Sequence, residues 1–327
     1  MKLFLNITII FFLFSCQSET RPIEIQGKTM GTYYKVKTFG TASPDELKKD
    51  IDKFFQLFNK IFSTYISDSE LSKINNSKFD KVKLSDSMKK VLELSLTLSQ
   101  KSEGYFDVTV GPLVNAWGFG PGGKQKIPTA AEIEKLLATI GYQKLKINDE
   151  WLERPHGMYI DLSALAKGFG VDELIKFLDF KGYSQVLVEI GGEVRVRGLK
   201  PDGKTWTVGI EGPSDKLGTK IAKVVKLDNM AMATSGSYRN YLKYGDNVFN
   251  HTIDPHTGRP VTHKTISVSV IHDYCADADA WATALMSMGV EKGLKVANRE
   301  SLKVYFQVKE NDSIKIITSD RFKDYVK

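Results

Sequence analysis

The sequence predicts an α+β fold in which mixed or mostly antiparallel sheets carry flanking helices. Stretches that alternate between apolar and polar residues, typical of strands, are interspersed with stretches of helical periodicity. They follow no regular βαβ period, which argues against a doubly wound parallel sheet. A chain of 327 residues, 42% of them apolar, can bury a substantial core, and we find no convincing linker within residues 23–327. We therefore expect one folded domain over those residues.

The first predicted helix begins at the Ser43-Pro44 step and runs to about Lys60. Serine is a typical N-cap, proline suits the first helical position, and Glu46 completes a capping-box pattern. A second helix is expected over residues 86–102, where apolar residues recur at helical spacing.

Two later segments matter more for function. Met158–Leu162 has the pattern of a short strand, and Ser163 is a plausible N-cap for the helix expected after it. Asp277–Met288 predicts another helix, which Gly289 should close.

The stretch 185–197 alternates as a strand should, but Gly191-Gly192 interrupts it and predicts a bulge or a tight turn. Further strands are expected around residues 205–211, 223–227, 265–271, 304–308 and 314–318.

The first 15 residues have the pattern of a secretory signal, with a charged start and a short apolar run. Ser15-Cys16 ends that run and resembles a bacterial lipobox, in which the cysteine becomes lipid-modified after cleavage. We expect Cys16 to anchor an exported protein on a bacterial membrane, facing the periplasm, with residues 16–22 as a tether. After Cys16 only Cys275 remains, so an intrachain disulfide is not expected in the mature protein.

Basic residues are spread along the chain without a concentrated tract, although the formal net charge is +7. This pattern indicates a solvated surface rather than nucleic-acid binding. The positive charge would still favour an anionic nucleotide as ligand.

The segment from Ala278 to Ala284 holds the sharpest chemical signal. Asp279 and Thr283 are four residues apart and therefore share one helical face. A carboxylate and a hydroxyl at this spacing suit a hard cation such as Mg²⁺, which keeps open positions for phosphate oxygens and water. Asp277 lies off that face. Taken alone, the pattern fits an ordinary capped helix with a buried alanine face better than a metal site.

Lys167 stands in the first turn of a predicted helix among small residues. Helix amide groups and an ammonium group attract the same anion, so this segment is a candidate phosphate site. A solvated lysine on a packing helix explains the pattern equally well.

The segment 250–260 is dense in turn-forming residues, and His251 stands at its start as a candidate base. Without other motifs, a structural turn is the better explanation. Three further segments, 29–34, 62–65 and 104–107, combine aromatic or apolar atoms with polar groups as the walls of a flat heteroaromatic ligand would. Separately, each is also explained as core.

Two familiar enzyme signals are rejected. Gly118–Gly123 imitates a dinucleotide fingerprint, but Pro121 and the missing strand-to-helix context favour a loop. A serine hydrolase is not indicated, because the chain has no Gly-x-Ser-x-Gly elbow.

Taken in chain order, six motifs together resemble the ApbE family of FAD:protein FMN transferases over roughly residues 25–308. They are Thr29-Met30-Gly31-Thr32, Gly104-Tyr105-Phe106-Asp107, Asp161 to Gly168, Ala233-Thr234-Ser235-Gly236, His251 to Gly258, and Ala278 to Thr283.

The resemblance implies an α+β fold that holds an elongated FAD in a cleft, with Mg²⁺ at the pyrophosphate. By motif position, the metal-binding groups are the side chains of Asp279 and Thr283 and the carbonyl of Ala164. Lys167 and His251 match the positions expected to act in catalysis. The residues that match the FAD-lining positions are Met30, Tyr65, Tyr105, Phe106, Asp107, Lys167 and Ile253.

The implied reaction is the transfer of FMN from FAD to a threonine or serine hydroxyl of a target protein, with release of AMP. The implied partner is a flavoprotein subunit of an exported or membrane-bound electron-transfer complex. One alternative is a Mg²⁺-dependent FAD pyrophosphatase, in which water replaces the protein hydroxyl. A second is a non-catalytic flavin-binding lipoprotein, which would have no need for His251.

Overall fold

The computed structural model describes residues 21–120, 126–212, 221–237, 241–244 and 247–326. The predicted signal segment and Cys16 lie outside these ranges, as do Pro121 to Gly123 of the glycine-rich segment. Strand β1 begins at Arg21, so Arg21 and Pro22 of the tether predicted over 16–22 belong to a strand. None of the helices in the described ranges combines the length and apolarity that crossing a membrane requires.

An eight-stranded antiparallel sheet forms the centre of the molecule, in the order β1-β2-β6-β7-β10-β15-β16-β17. This agrees with the predicted α+β class and its mostly antiparallel sheets. The strands of this sheet are Arg21–Thr29 (β1), Thr32–Gly40 (β2), Val186–Ile190 (β6), Glu193–Arg197 (β7), Ala231–Gly236 (β10), Thr265–His272 (β15), Lys303–Glu310 (β16) and Ser313–Thr318 (β17).

Smaller antiparallel sheets surround the large one and pair in the orders β3-β5-β4, β8-β9, β11-β12 and β13-β14. Their strands are Lys81–Lys83 (β3), Lys146–Asn148 (β4), Trp151–Glu153 (β5), Trp206–Glu211 (β8), Ile221–Leu227 (β9), Tyr241–Tyr244 (β11), Asn247–Asn250 (β12), Ile253–Asp254 (β13) and Arg259–Pro260 (β14).

The helices of the described ranges are Pro44–Phe62 (α1), Glu70–Asn76 (α2), Asp86–Lys101 (α3), Gly111–Ala116 (α4), Ala130–Leu137 (α5), Ala166–Phe180 (α6), Cys275–Arg299 (α7) and Asp320–Tyr325 (α8), with a short 3-10 helix at Tyr142–Lys144.

The two faces of the large sheet are covered differently. On one face, β2 and β6 pack Val36 and Val188 against α1 and α6, while α7 covers β10 and β15. On the other face, Leu187 and Met232 pack with Trp206 of the β8–β9 hairpin. Residues along a strand point alternately to the two faces, so a single strand contributes side chains to the apolar packing on both faces of the sheet.

Most predicted elements are present, with some wrong boundaries. Ser43 occupies the N-cap position of α1, but its side chain makes no capping hydrogen bond, so the predicted capping box is not formed. No strand forms at Met158–Leu162, and Ser163 is not the N-cap of α6. Leu165 takes that position, because the Ser163 hydroxyl donates instead to Asp161 Oδ1 at 2.5 Å.

Gly289 was correctly expected to break its helix, because its φ of 74° is non-helical. The chain then resumes a helix up to Arg299, which the sequence pattern did not predict. Gly191-Gly192 form the tight turn between β6 and β7, with φ of 60° and 109°.

Candidate active site

A cavity of about 1090 Å³ opens where the β6–β7 turn meets the starts of α6 and α7. It receives side chains from both faces of the large sheet, because β10 extends past the end of β7 at this point. Ten of the residues singled out from the sequence line it, although they come from distant parts of the chain. They are Tyr65, Tyr105, Phe106, Asp107, Ala164, Lys167, His251, Ile253, Asp279 and Thr283.

Helix α7 supplies Asp279 and Thr283 from one face, as their spacing predicted. Asp279 is only 5% exposed, and its Oδ2 accepts a hydrogen bond from the Gly168 N–H at 3.0 Å. Burial raises the pKa of Asp279, and the nearby Lys167 opposes that shift. Asp277 is half-buried and does not line the cavity, so the geometry favours Asp279 as the candidate metal ligand.

Gly168 explains how α6 and α7 approach so closely. A Cβ at this position would lie 2.3 Å from the carbonyl oxygen of Cys275, a separation that no side chain tolerates. The absence of a side chain at Gly168 therefore permits the close approach of the α7 backbone. The contact also brings the first turn of α6 beside Asp279.

Lys167 lies in that first turn and is held between two carboxylates. Its Nζ is 3.5 Å from Glu193 Oε1 and 3.8 Å from Asp279 Oδ2. Burial alone would lower the pKa of Lys167, but the attraction of Asp279 and Glu193 outweighs burial and raises it above its usual range. Lys167 is therefore a charged ammonium with its side chain 29% exposed to the cavity.

Glu193 is the site residue that sequence reasoning missed. It is the first residue of β7, placed at the cavity by the Gly191-Gly192 turn, and it is 4% exposed. Burial raises its pKa to about 8, although Lys167 opposes the shift. Its Oε2 has no hydrogen-bond partner within the described residues. The sequence signal that could have identified Glu193 is its position directly after the Gly191-Gly192 turn.

We call Lys167, Glu193 and Asp279 the reactive cluster. Two carboxyl groups face one ammonium, and Glu193 Oε2 has no partner in the described ranges, so the cavity offers oxygen atoms to a cation. The described residues contain no group of three or more His, Cys, Asp or Glu side chains that could hold a metal by themselves. A metal bound here would therefore take Asp279, the Thr283 hydroxyl and oxygens from a ligand or water, a donor set that fits Mg²⁺.

A second pair of buried charges fixes the start of α7. Asp172 Oδ1 accepts from Arg195 Nη1 at 2.6 Å and from the Cys275 N–H at 3.0 Å, while Oδ2 accepts from the Ala276 N–H at 2.9 Å. We call Asp172 and Arg195, with these two amides, the cap cluster. A carboxylate at a helix N-terminus satisfies amides that would otherwise lack partners.

The aromatic wall of the cavity is built on the 104–107 segment. The Tyr105 ring lies between the His256 ring, with centroids 4.4 Å apart, and Lys292 Nζ at 4.4 Å. Phe106 is 2% exposed. Asp107 accepts hydrogen bonds from both the N–H and the hydroxyl of Thr109, so its role here includes holding the wall.

His251 lines the cavity from the end of the β11–β12 hairpin, 6.3 Å between ring centroids from Phe119 in an edge-to-face contact. The segment after it forms the expected turn, in which Gly258 has a φ of 66° and accepts a hydrogen bond from Trp117 Nε1. The turn predicted for this segment is therefore present, and His251 also lines the cavity.

Two predicted FAD residues lie at the edge of the site. Tyr65 is at the rim and is 75% exposed. Met30 is not among the cavity-lining residues, and its side chain packs against the core beside Gly170. Its neighbours Thr32 and Tyr33 line the cavity instead.

The fold and the site together define a class: an α+β protein whose large cavity sets an ammonium and two carboxylates beside an aromatic wall. The ApbE family model matches residues 30–306, and the chain belongs to the ApbE family. The resemblance drawn from the six motifs is thereby confirmed.

The chain is similar to curated proteins along nearly its whole length. It is 37% identical over 323 residues to the FAD:protein FMN transferase of Vibrio cholerae, covering 97% of this chain and 96% of that protein. It is 36% identical over 332 residues to the FAD:protein FMN transferase of Escherichia coli, covering 96% and 94%. The solved apo form of Pseudomonas stutzeri flavinyl transferase ApbE matches with a TM-score of 0.87 and 33% identity, covering 94% of this chain and 97% of that one.

Proposed function

We propose that this protein is an FAD:protein FMN transferase that uses Mg²⁺ to move FMN from FAD onto a threonine or serine hydroxyl of a target protein. The observation that carries the proposal is the reactive cluster, which sets Lys167 and Asp279 3.8 Å apart in one cavity. Full-length similarity to proteins named for this activity supports it.

In the proposed reaction, the hydroxyl oxygen of the target forms a bond to the phosphorus on the FMN side of FAD. The bond between that phosphorus and the bridging oxygen breaks, and AMP leaves with the bridging oxygen. Lys167 stabilises negative charge that develops on the diphosphate, because it is held charged in a partly desolvated place. His251 accepts the proton of the attacking hydroxyl, directly or through water.

The metal would be held by Asp279 and Thr283, with the carbonyl of Ala164, which lines the same cavity. A bound Mg²⁺ supplies positive charge to the phosphate oxygens. The buried Asp279 carboxylate and the Thr283 hydroxyl, which line the cavity from one face of α7, support this assignment.

The flavin would use the aromatic wall. Tyr105 contacts both His256 and Lys292, so it would lose little side-chain freedom on binding. Phe106, Tyr65 and Ile253 complete the apolar lining.

The proposal includes export and anchoring through a lipid on Cys16, with the enzyme facing the periplasm. Strand β1 begins at Arg21, only a few residues after Cys16, so an anchor on Cys16 would hold the enzyme close to the membrane. A target subunit of a membrane electron-transfer complex would be within reach. Cys16→Ser should release the protein from membranes in cell fractionation, and membrane retention of that variant would contradict the anchor.

The decisive experiment incubates the purified protein with FAD, Mg²⁺ and a flavin-free acceptor subunit. We expect flavin fluorescence on the acceptor after denaturing electrophoresis, one AMP released for each flavin attached, and loss of both with a chelator. AMP and free FMN without labelled acceptor would identify a pyrophosphatase instead. FAD binding without any AMP would identify a flavin-binding protein.

A further inference from the structure

The aromatic wall of the cavity packs on a histidine that the proposed reaction does not use. His256 lies in the turn after His251, and its ring is 4.4 Å from the Tyr105 ring between centroids. Tyr105 lines the cavity, whereas His256 is not among the lining residues and its side chain is 48% exposed. His256 is therefore placed to support the wall rather than to touch a ligand in the cavity.

Both ring nitrogens of His256 face hydrogen-bond acceptors. Nδ1 lies 3.1 Å from Asp254 Oδ1, and Nε2 lies 3.1 Å from the carbonyl oxygen of Glu103. Carbonyl and carboxylate oxygens accept but do not donate, and a neutral imidazole carries a proton on only one nitrogen. Both hydrogen bonds therefore form only with the imidazolium, and loss of its proton breaks one of them.

These two hydrogen bonds join two segments of the site. Glu103 directly precedes the wall segment, residues 104–107. Asp254 belongs to β13 together with Ile253, which lines the cavity. Asp254 Oδ1 also accepts from the His256 N–H at 2.9 Å, so the histidine is held by its backbone as well as by its ring. The imidazolium thus ties the wall segment to the turn that follows His251.

The charges around the ring favour its protonated form. Glu103 pairs through its carboxylate with both Lys292 and Arg299, so these two bases are already matched. Burial raises the pKa of Asp107, and the positive charge of His256 opposes that shift. The titratable groups around the ring are Asp254 in its own turn, Glu103, Tyr105 and Asp107 in or beside the wall segment, Tyr142 of the 3-10 helix, and Lys292 and Arg299 of α7.

We propose that His256 is a positioning residue for the flavin, whose imidazolium holds the Tyr105 wall in place so that the cavity binds a flavin nucleotide more tightly when His256 is charged. This inference rests on the proposed function, because it takes the ligand of the wall to be a flavin. A wall that is ordered before binding loses less freedom when a ligand stacks on it, which raises affinity without a new contact.

Two substitutions in the full chain separate the charge of His256 from its shape. His256→Gln removes the charge and the ring. His256→Arg keeps a positive charge at every pH, has donors for both acceptors and stacks on aromatic rings. His156→Gln is the matched control, because His156 is an exposed histidine outside the cavity whose Nδ1 lies 3.5 Å from Asp80 Oδ1.

The Kd for FAD is measured by flavin fluorescence at pH 5.5 and pH 8.5 with a fixed concentration of Mg²⁺. Histidine changes its charge within this range. Between the two pH values, the affinity of the wild-type protein and of His156→Gln should fall about fivefold more than that of either His256 variant. At pH 5.5, His256→Arg should match the wild-type protein, and His256→Gln should bind FAD about fivefold more weakly.

A pH dependence as large in either folded His256 variant as in the wild-type protein would overturn the proposal, because His256 would then have a structural role only. A smaller pH dependence in His156→Gln as well would also overturn it. If His256→Gln does not fold, His256→Arg decides by the same criterion.

The proposed function fails in a different way. A wild-type protein that binds no FAD at either pH would refute the flavin function of the cavity, and the role of His256 with it. Tight FAD binding that does not weaken as pH rises would refute the role of His256 alone and leave the transferase proposal standing.

Discussion

Two groups of charges lie beside the α6–α7 contact, and they differ in how completely their carboxyl groups are hydrogen-bonded. In the cap cluster, both carboxylate oxygens of Asp172 have donors at 2.6–3.0 Å. In the reactive cluster, the ammonium of Lys167 is 3.5 and 3.8 Å from its carboxylates, and Glu193 Oε2 has no partner in the described part of the chain. Arg195 Nε of the cap cluster also lacks a partner there, so the difference between the clusters lies in their carboxyl groups, of which only Glu193 at the cavity keeps an open oxygen.

The comparison separates a carboxyl group whose hydrogen bonds are complete within the fold from one that keeps capacity for a ligand. Both clusters raise the pKa of their carboxylates through burial, so a perturbed pKa does not distinguish them. Hydrogen-bond geometry does, because a group that is already saturated has no capacity left for substrate or metal. Replacing residues of the two clusters should therefore affect different measurements.

The largest expected effect is that of Asp279→Ala on activity. Removing the carboxylate proposed to bind the metal should lower kcat/KM for flavin transfer on the order of a thousandfold, since a metal ion contributes several kcal/mol of charge stabilisation. The Mg²⁺ dependence of AMP release measures the effect. Asp277→Ala, two residues away and outside the cavity, should retain transfer. Metal-dependent transfer by Asp279→Ala would remove this residue from the metal site.

Asp172→Asn should act on stability instead. It leaves Arg195, whose side chain is 16% exposed, without its counter-charge, and breaking a largely buried ion pair costs about 3 kcal/mol. Urea unfolding should show a lower midpoint with an unchanged slope. Asp179→Asn breaks a similar α6–β7 pair with Arg197, 3.0 Å long but exposed, and should change the free energy of unfolding by less than about 1 kcal/mol. Equal effects of the two variants would contradict the structural role of the cap cluster.

Lys167→Met should lower kcat about a hundredfold, because it removes a preorganised charge while keeping the apolar stem in place. Lys176→Met on the exposed side of the same helix is the control, and it should leave kcat unchanged. Single-turnover AMP release with saturating FAD separates the chemical step from binding. A raised KM for FAD with an unchanged kcat would instead make Lys167 a binding residue only.

Local geometry was the part of the site that the sequence could predict. The i, i+4 spacing correctly placed Asp279 and Thr283 on one face, and Lys167 was correctly expected in the first turn of its helix. Periodicity carries this information because it depends on neighbours within one element. That these residues share one cavity followed from the family resemblance, not from their spacing.

The failures come from tertiary contacts. Glu193 looked like an ordinary strand residue, and its role depends on a turn that brings β7 to Lys167. Met158–Leu162 has the apolar pattern of a strand, but Ile160 makes its hydrogen bonds with the Asn75 side chain rather than with a neighbouring strand. The kink at Gly289 was predictable because glycine commonly ends a helix. The helical segment after it packs against the sheet, where Gly293 lies beside Phe306 of β16, and this contact is not visible in the local sequence.

The sharpest test of the comparison is the pH dependence of Glu193→Gln. The folded-state pKa of Glu193 is about 8, above the ordinary value of 4.5, so its burial favours the protonated form. Its contribution to stability is fully present below pH 4.5 and is lost as pH rises towards and through 8. Glutamine cannot ionise, so the variant should become more stable relative to the wild-type protein as pH rises across that interval. Urea midpoints measured for both proteins from pH 5 to pH 9 give the difference directly. A constant difference over that range would mean that the Glu193 carboxyl titrates as it does in water, and the distinction between a saturated and an unsaturated cluster would then lose its energetic basis.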